Sequence, residues 1–181
     1  MQSLIYSLFS TPVGDMILGS LGGELVMAAW QVSPRPTMSA LSRLTGLGWQ
    51  QGTSAVIEAA KGELTDYLAG RRTAFDIPVR LIGTPFQISV WNALGEIPFG
   101  TTVSYASLAE RIGHPRAVRP LSTAVGCNPV SIIVPCHRVV GTDGRLHGYA
   151  GGLECKSALL ALERYKLPAA AEGHAVERCQ P

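Results

Sequence analysis

The run Asn128-Pro129-Val130-Ser131-Ile132-Ile133-Val134-Pro135-Cys136-His137-Arg138-Val139 organises the chain. Ser131 to Val134 are small or branched, which predicts a short buried strand; Pro135 stops its hydrogen-bond ladder because it has no N–H to donate. Cys136 and His137 then stand where a rigid element ends, a place that can hold a reactive side chain in one geometry. A thiol is a poor nucleophile until it becomes a thiolate, and an imidazole within reach can accept that proton. A structural reading stays open beside this one. Free cysteine is usually a small buried hydrophobe, and neighbours on an extended chain point to opposite faces.

Outward from this run, towards the C-terminus, Val139-Val140 continues extended and Thr142-Asp143-Gly144 predicts a hairpin turn. His147 to Gly152 is a glycine-rich loop. A helix over about 153–165 follows, with Cys155, Ala158, Leu159 and Leu162 at core spacing. From residue 167 the composition predicts a disordered tail that contains Cys179. In the other direction, Thr84-Pro85 opens a helix that Gly95 closes, with Phe86, Val90, Trp91 and Leu94 inward. Ser104 caps a second helix, Tyr105 to Ile112, and His114-Pro115 makes a turn. A third helical stretch lies between Arg119 and Gly126. Two short helices joined by a tight turn describe a helix-turn-helix, or else a generic helical hairpin.

The charge distribution bears on that choice. The 181 residues carry a net charge of only +2, but between Arg111 and Arg145 there are five arginines against one acid, Asp143. A local basic patch of this kind suits a phosphate backbone. A hydrophobic content of 46% is enough for a real core. The N-terminus lacks the pattern of a secretory signal, and no apolar run approaches the ~20 residues that span a bilayer. The four cysteines form no CxxC pair and are read as reduced thiols, so a cytoplasmic protein without membrane contact is expected.

Residues 1–80 read as a β-meander, with runs at 3–9, 16–21 and 25–30 joined by Thr11–Asp15 and Gly22-Gly23. Residues 33–52 read as loop with one helical turn. A helix follows, capped by Thr53 or Ser54 and running to about Ala69, with Leu64, Tyr67 and Leu68 on its apolar face. Nothing in this half carries chemistry by itself; its aromatic and methionine residues read as core. The fold class is therefore α/β: an N-terminal antiparallel sheet-plus-helix domain over 1–82, a mainly helical domain over 83–166, and the tail, 167–181.

The run NPVSIIVPCHRVV, followed by GYAGGLECKSALLALE, resembles the active-site region of the O6-alkylguanine-DNA alkyltransferases, over roughly residues 84–165. That resemblance implies direct-reversal repair of double-stranded DNA: one irreversible alkyl transfer to Cys136 after base flipping, from O6-alkylguanine, with O4-alkylthymine as a second candidate substrate. It implies that His137 deprotonates Cys136 through a water, and that Glu163 orients the histidine. Tyr105 would protonate the leaving guanine, and Lys156 would sit near the thiolate. Arg119 would be the finger that enters through the minor groove and replaces the flipped base, with Arg116 and Ser122 nearby at the DNA. Asn128 would tie the recognition helix to the active-site strand. Tyr149, Val139, Val140 and Pro135 would form the base pocket.

The resemblance further implies a monomer with no cofactor. The family's zinc-binding variant needs N-terminal cysteines that residues 1–80 lack, so no metal is expected. One local departure stands out: where the family continues Ala-Val-Gly after its arginine, this chain has Pro120-Leu121-Ser122. Proline disfavours helical backbone before it, which predicts Arg119 as a cap residue. Two competing classes remain. A non-catalytic alkylguanine-binding protein would lack the acceptor cysteine, and a cysteine hydrolase would have no use for a helix-turn-helix.

Overall fold

The computed structural model describes residues 3–32 and 35–165. Strands β1 (Leu4–Thr11), β2 (Gly14–Leu21) and β3 (Glu24–Trp30) form the expected antiparallel meander. Gly22 and Gly23, at φ 59° and 89°, supply the left-handed pair that a two-residue hairpin link requires. A fourth strand, β4 (Trp49–Gln51), joins β1 in parallel, giving the order β3-β2-β1-β4. The sheet is therefore mixed at one edge.

The parallel strand explains why residues 33–52 are more than a loop. A parallel neighbour needs a crossover, and helix α1 (Arg35–Thr45) supplies it. Pro36 falls in its first turn, where a missing N–H costs nothing, so a proline that reads as a breaker is compatible with the helix. Central strand β2 is buried on both faces. Met16 and Leu18 enter the main core, while Ile17 and Leu21 pack in a smaller cluster with Leu41 of α1. Helix α2 (Ala55–Leu68), capped by Ser54, covers the main-core side with Val56, Ala60, Leu64 and Tyr67.

The second half is mainly helical: α3 (Pro85–Gly95), α4 (Tyr105–Arg111), α5 (Val118–Gly126) and α6 (Gly152–Tyr165). Thr84 and Gln87 cap α3 reciprocally. The short strands β5 (Val103–Ser104) and β6 (Val139–Val140) pair in parallel beside α4. The main core contains Leu25 and Tyr67 of the first half together with Trp91, Leu108, Leu121 and Leu159 of the second. The halves thus share one apolar interior.

Residues 128–134 seat the site against the sheet. Ala28 N–H donates to the Pro129 carbonyl and Ser131 N–H to the Ala28 carbonyl, both at 2.8 Å, so the run covers the edge of β3. It is not the strand that Ser131 to Val134 predict. Ile132 adopts φ 73°, a left-handed conformation rare for a β-branched residue, and Val134 N–H turns back to the Val130 carbonyl at 2.9 Å. Ile132 is fully buried, so tertiary packing overrides its local preference.

Cys127 and Cys136 are free thiols as expected; Cys155 is not, which departs from the reading of all four as reduced. The predicted tail, with Cys179, lies outside the described residues. Among those residues, no helix is long and apolar enough to cross a membrane.

Candidate active site

Cys136, His137 and Arg138 form one turn of 3-10 helix after Pro135. Successive side chains on such a turn diverge by about 120°, rather than pointing to opposite faces as on a strand. His137 and Arg138 both reach Glu163, which α6 projects into the core from its last turn. His137 Nε2 lies 2.8 Å from Glu163 Oε1. Arg138 Nη2 donates to Oε1 at 2.9 Å and Nε to Oε2 at 3.0 Å, while Nη1 donates to the Ile97 carbonyl. Gly100 N–H donates to Oε2 at 2.9 Å, and the Tyr67 phenol donates to Oε1. The Arg138 guanidinium also sits 5.7 Å over the Phe99 ring.

The side chains of Tyr67, His137, Arg138 and Glu163 are all buried, so their charges are set by their neighbours. Burial alone would raise the Glu163 carboxyl; hydrogen bonds from His137 and Arg138 outweigh it and hold the group at about 2. Burial pushes His137 below its ordinary value, and Glu163 only partly opposes that. The imidazole is accordingly neutral at neutral pH. The acidic partner at Nε2 assigns the proton to that nitrogen and leaves the Nδ1 lone pair as an acceptor, with no protein partner. Burial also pushes the Cys136 thiol up, against the Asn128 side chain and the Lys156 ammonium, which favour thiolate. The resting sulfur is a thiol, and a base must take its proton for it to react.

The remaining expected residues fall into two groups. Asn128 is buried at the end of α5; its Nδ2 donates to the Val134 carbonyl at 2.8 Å, and its Oδ1 accepts from Val130 N–H at 3.1 Å. It ties the helix to the turn that precedes Cys136. Lys156 Nζ donates to the His147 carbonyl at 2.7 Å and lies 5.9 Å from the centre of the Tyr105 ring. Tyr105 opens α4, and the Ser104↔Val140 register sets it beside buried Val139 and Val140. Tyr149 packs edge-on to Trp30, ring centres 6.0 Å apart, and Pro135 is buried before the thiol.

Arg116, Arg119 and Ser122 form the second group, exposed on α5 and the turn that enters it. Arg119 is not a cap. Ala117 takes that position, and Arg119 is the second helical residue. Pro120 is tolerated there because the amides of the first turn have no intrahelical partner; the ladder starts with Leu121 N–H to the Ala117 carbonyl at 2.9 Å. The basic patch is also smaller than the arginine count suggests. Arg138 is buried on Glu163 and Arg145 pairs with Asp143, which leaves Arg111, Arg116 and Arg119 exposed without ion pairs among the described residues.

Two residues of the N-terminal half belong to the site although they read as core. Tyr67 of α2 bonds the Glu163 carboxylate, and Trp30 of β3 supports Tyr149 and lies against Gly151, where an added Cβ would stand 2.8 Å from the indole. Their apolar spacing is that of any core position, so no local signal separates them from one.

A buried thiol followed directly by an imidazole that a carboxylate holds is the arrangement of side chains that nucleophilic cysteine chemistry requires. Two family models cover the chain: 6-O-methylguanine DNA methyltransferase, ribonuclease-like domain, over residues 4–81, and the DNA binding domain of the same protein over residues 85–165. The methylated-DNA–protein-cysteine methyltransferase of Mycobacterium bovis is 41% identical over 167 residues, 91% of this chain and 94% of that one. The inducible one of Bacillus subtilis is 55% identical over 102 residues, 56% of this chain and 57% of that one. Mycobacterium tuberculosis OGT, solved in complex with DNA, superposes with a TM-score of 0.78 at 39% identity, covering 91% and 96% of the two chains. The chain belongs to the 6-O-methylguanine DNA methyltransferase family.

Proposed function

We propose that this protein repairs alkylated DNA by transferring the alkyl group of O6-alkylguanine to Cys136 Sγ, once per molecule. The observation that carries the reading is the buried Cys136 thiol beside a neutral His137 that ionised Glu163 orients. In the step, the Cys136 proton passes to His137 Nδ1 through a water, and the imidazolium pairs with Glu163. The sulfur lone pair forms the S–C bond as the C–O6 bond breaks, and the electrons of that bond go to guanine O6. Tyr105, which burial keeps protonated, supplies the proton that neutralises the leaving guanine. Lys156 favours the thiolate electrostatically. The thioether product has no route back, so the reaction is stoichiometric.

Double-stranded DNA docks on the exposed face of α5 through its minor groove. Arg119 fills the stack that the flipped base leaves, with Arg116 and Ser122 beside it. Tyr149, Val139, Val140 and Pro135 receive the extruded base. The chain works as a monomer in the cytoplasm, in two units divided near residues 82 and 83. Mass spectrometry after incubation with duplex O6-methylguanine tests the reading. One methyl per molecule on Cys136, absent in Cys136→Ala, is expected; a methyl on Cys127, or sustained turnover, would overturn it.

A further inference from the structure

Glu163 Oε1 carries more than its catalytic partner. It accepts from His137 Nε2, from Arg138 Nη2 and from the phenol of Tyr67, a residue of the other half of the chain. The phenol is fully buried, and its oxygen also lies 3.4 Å from His137 Nε2. Its ring is held from two sides, 5.2 Å from Phe75 and 5.9 Å from Phe99, centre to centre. Packing alone would be served as well by phenylalanine. The hydroxyl is a polar atom carried into the core, and its donor is spent on the oxygen that faces the imidazole.

We propose that Tyr67 is a positioning residue for the alkyl transfer: its phenol caps the Glu163 oxygen that faces His137 and limits how strongly that carboxylate holds the imidazole proton. The inference rests on the His137 role given above. Its physical basis is competition for one oxygen. A carboxylate stabilises an imidazolium in proportion to the negative charge left on the atom it offers, and each further donor on that atom draws the charge away. With the phenol in place, His137 stays neutral and ready to accept the thiol proton, and the imidazolium formed during transfer is held only moderately.

The other groups that face His137 are fixed. Glu163 and Lys156 approach from α6, Arg138 and Cys136 belong to its own turn, and Tyr67 alone comes from α2. The phenol remains protonated throughout, because burial and the Glu163 charge push its ionisation well above the ordinary range. It acts only as a donor. The N-terminal half, which reads as scaffold, thereby reaches into the proton chemistry.

The test is the His137 titration, followed by NMR of the imidazole in the full-length protein, together with the pH dependence of reaction with free O6-benzylguanine. Tyr67→Phe removes the donor and keeps the ring. It should raise the His137 pKa by about one unit and move the acid limb of the rate profile up with it. Incorporating 3-fluorotyrosine at position 67 strengthens the donor with almost no change of shape, and should shift both in the opposite direction. This second variant stands even if loss of the hydroxyl impairs folding. An unchanged His137 pKa in the fluorotyrosine protein would overturn the proposal, as would shifts of the same sign in both variants. Because the titration is read without any alkyl transfer, its failure is distinct from a failure of the Cys136 assignment.

Discussion

Glu163→Gln is the most informative perturbation, because one side chain joins α6, the cysteine turn, the Gly100 loop and α2. Five donors converge on the carboxylate: the Tyr67 phenol, His137 Nε2, Arg138 Nε and Nη2, and Gly100 N–H. An amide of the same shape offers a single acceptor oxygen and turns an NH2 toward groups that are themselves donors. Arg138 would also remain buried without its counter-charge, and breaking a buried pair in this way costs about 3–5 kcal/mol. An independent route gives a similar figure. Holding the carboxyl at about 2 rather than 4.5 contributes about 3 kcal/mol at ~1.4 kcal/mol per unit.

The sign of the pH effect follows from the direction of that shift. A lowered carboxyl stabilises the fold fully above 4.5, and the contribution disappears as pH falls from 4.5 towards 2. Urea unfolding at pH 7 should therefore find the variant less stable by about 3 kcal/mol, and the gap to the native protein should narrow at pH 3. Alkylation of the variant by O6-benzylguanine should be slow near neutral pH and partly recover at high pH, where hydroxide generates the thiolate without His137. Equal stability at pH 7, or a gap that stays constant on acidification, would refute the reasoning. A rate unaffected at every pH would remove Glu163 from the mechanism.

Arg119→Ala should slow repair of duplex O6-methylguanine at least about tenfold, since base unstacking costs a few kcal/mol, and leave reaction with free O6-benzylguanine nearly unchanged. Parallel kinetics on the two substrates check this; equal slowing would place Arg119 in the chemical step or in the fold. Asn128→Ala strips partners from the buried Val134 carbonyl and Val130 N–H and should cost about 2–4 kcal/mol in denaturant titration. Gly151→Ala drives a Cβ to within 2.8 Å of the buried Trp30 ring, so a loss of about 1–3 kcal/mol is expected. The same variant should show a changed Trp30 fluorescence spectrum as the Tyr149 loop moves. An unaltered spectrum would mean that loop and indole are not in contact.

The sequence by itself determined the elements whose cues are local. The Gly22-Gly23 link, the Ser54 and Thr84 caps and the apolar spacing of α2 and α6 each depend on a few adjacent residues, and each stands where it is expected. The Cys136-His137 pair and Glu163 were legible too, but through resemblance, since nothing in their spacing brings residues 137 and 163 within 2.8 Å. Tertiary structure decided what depends on contacts distant in sequence. It turned Ser131 to Val134 from a strand into a strained turn on the edge of β3, because burying Ile132 and pairing Ala28 outweigh local preference. It added parallel β4, whose pairing is visible only once a crossover brings it to β1. It moved Arg138 from a presumed phosphate contact to the Glu163 carboxylate. It also placed Tyr67 against that same carboxylate, since the shared core brings one apolar-face residue of α2 within reach of a buried charge on α6. A buried charge recruits every donor that packing brings within reach, and packing is a property of the folded chain rather than of any stretch of it.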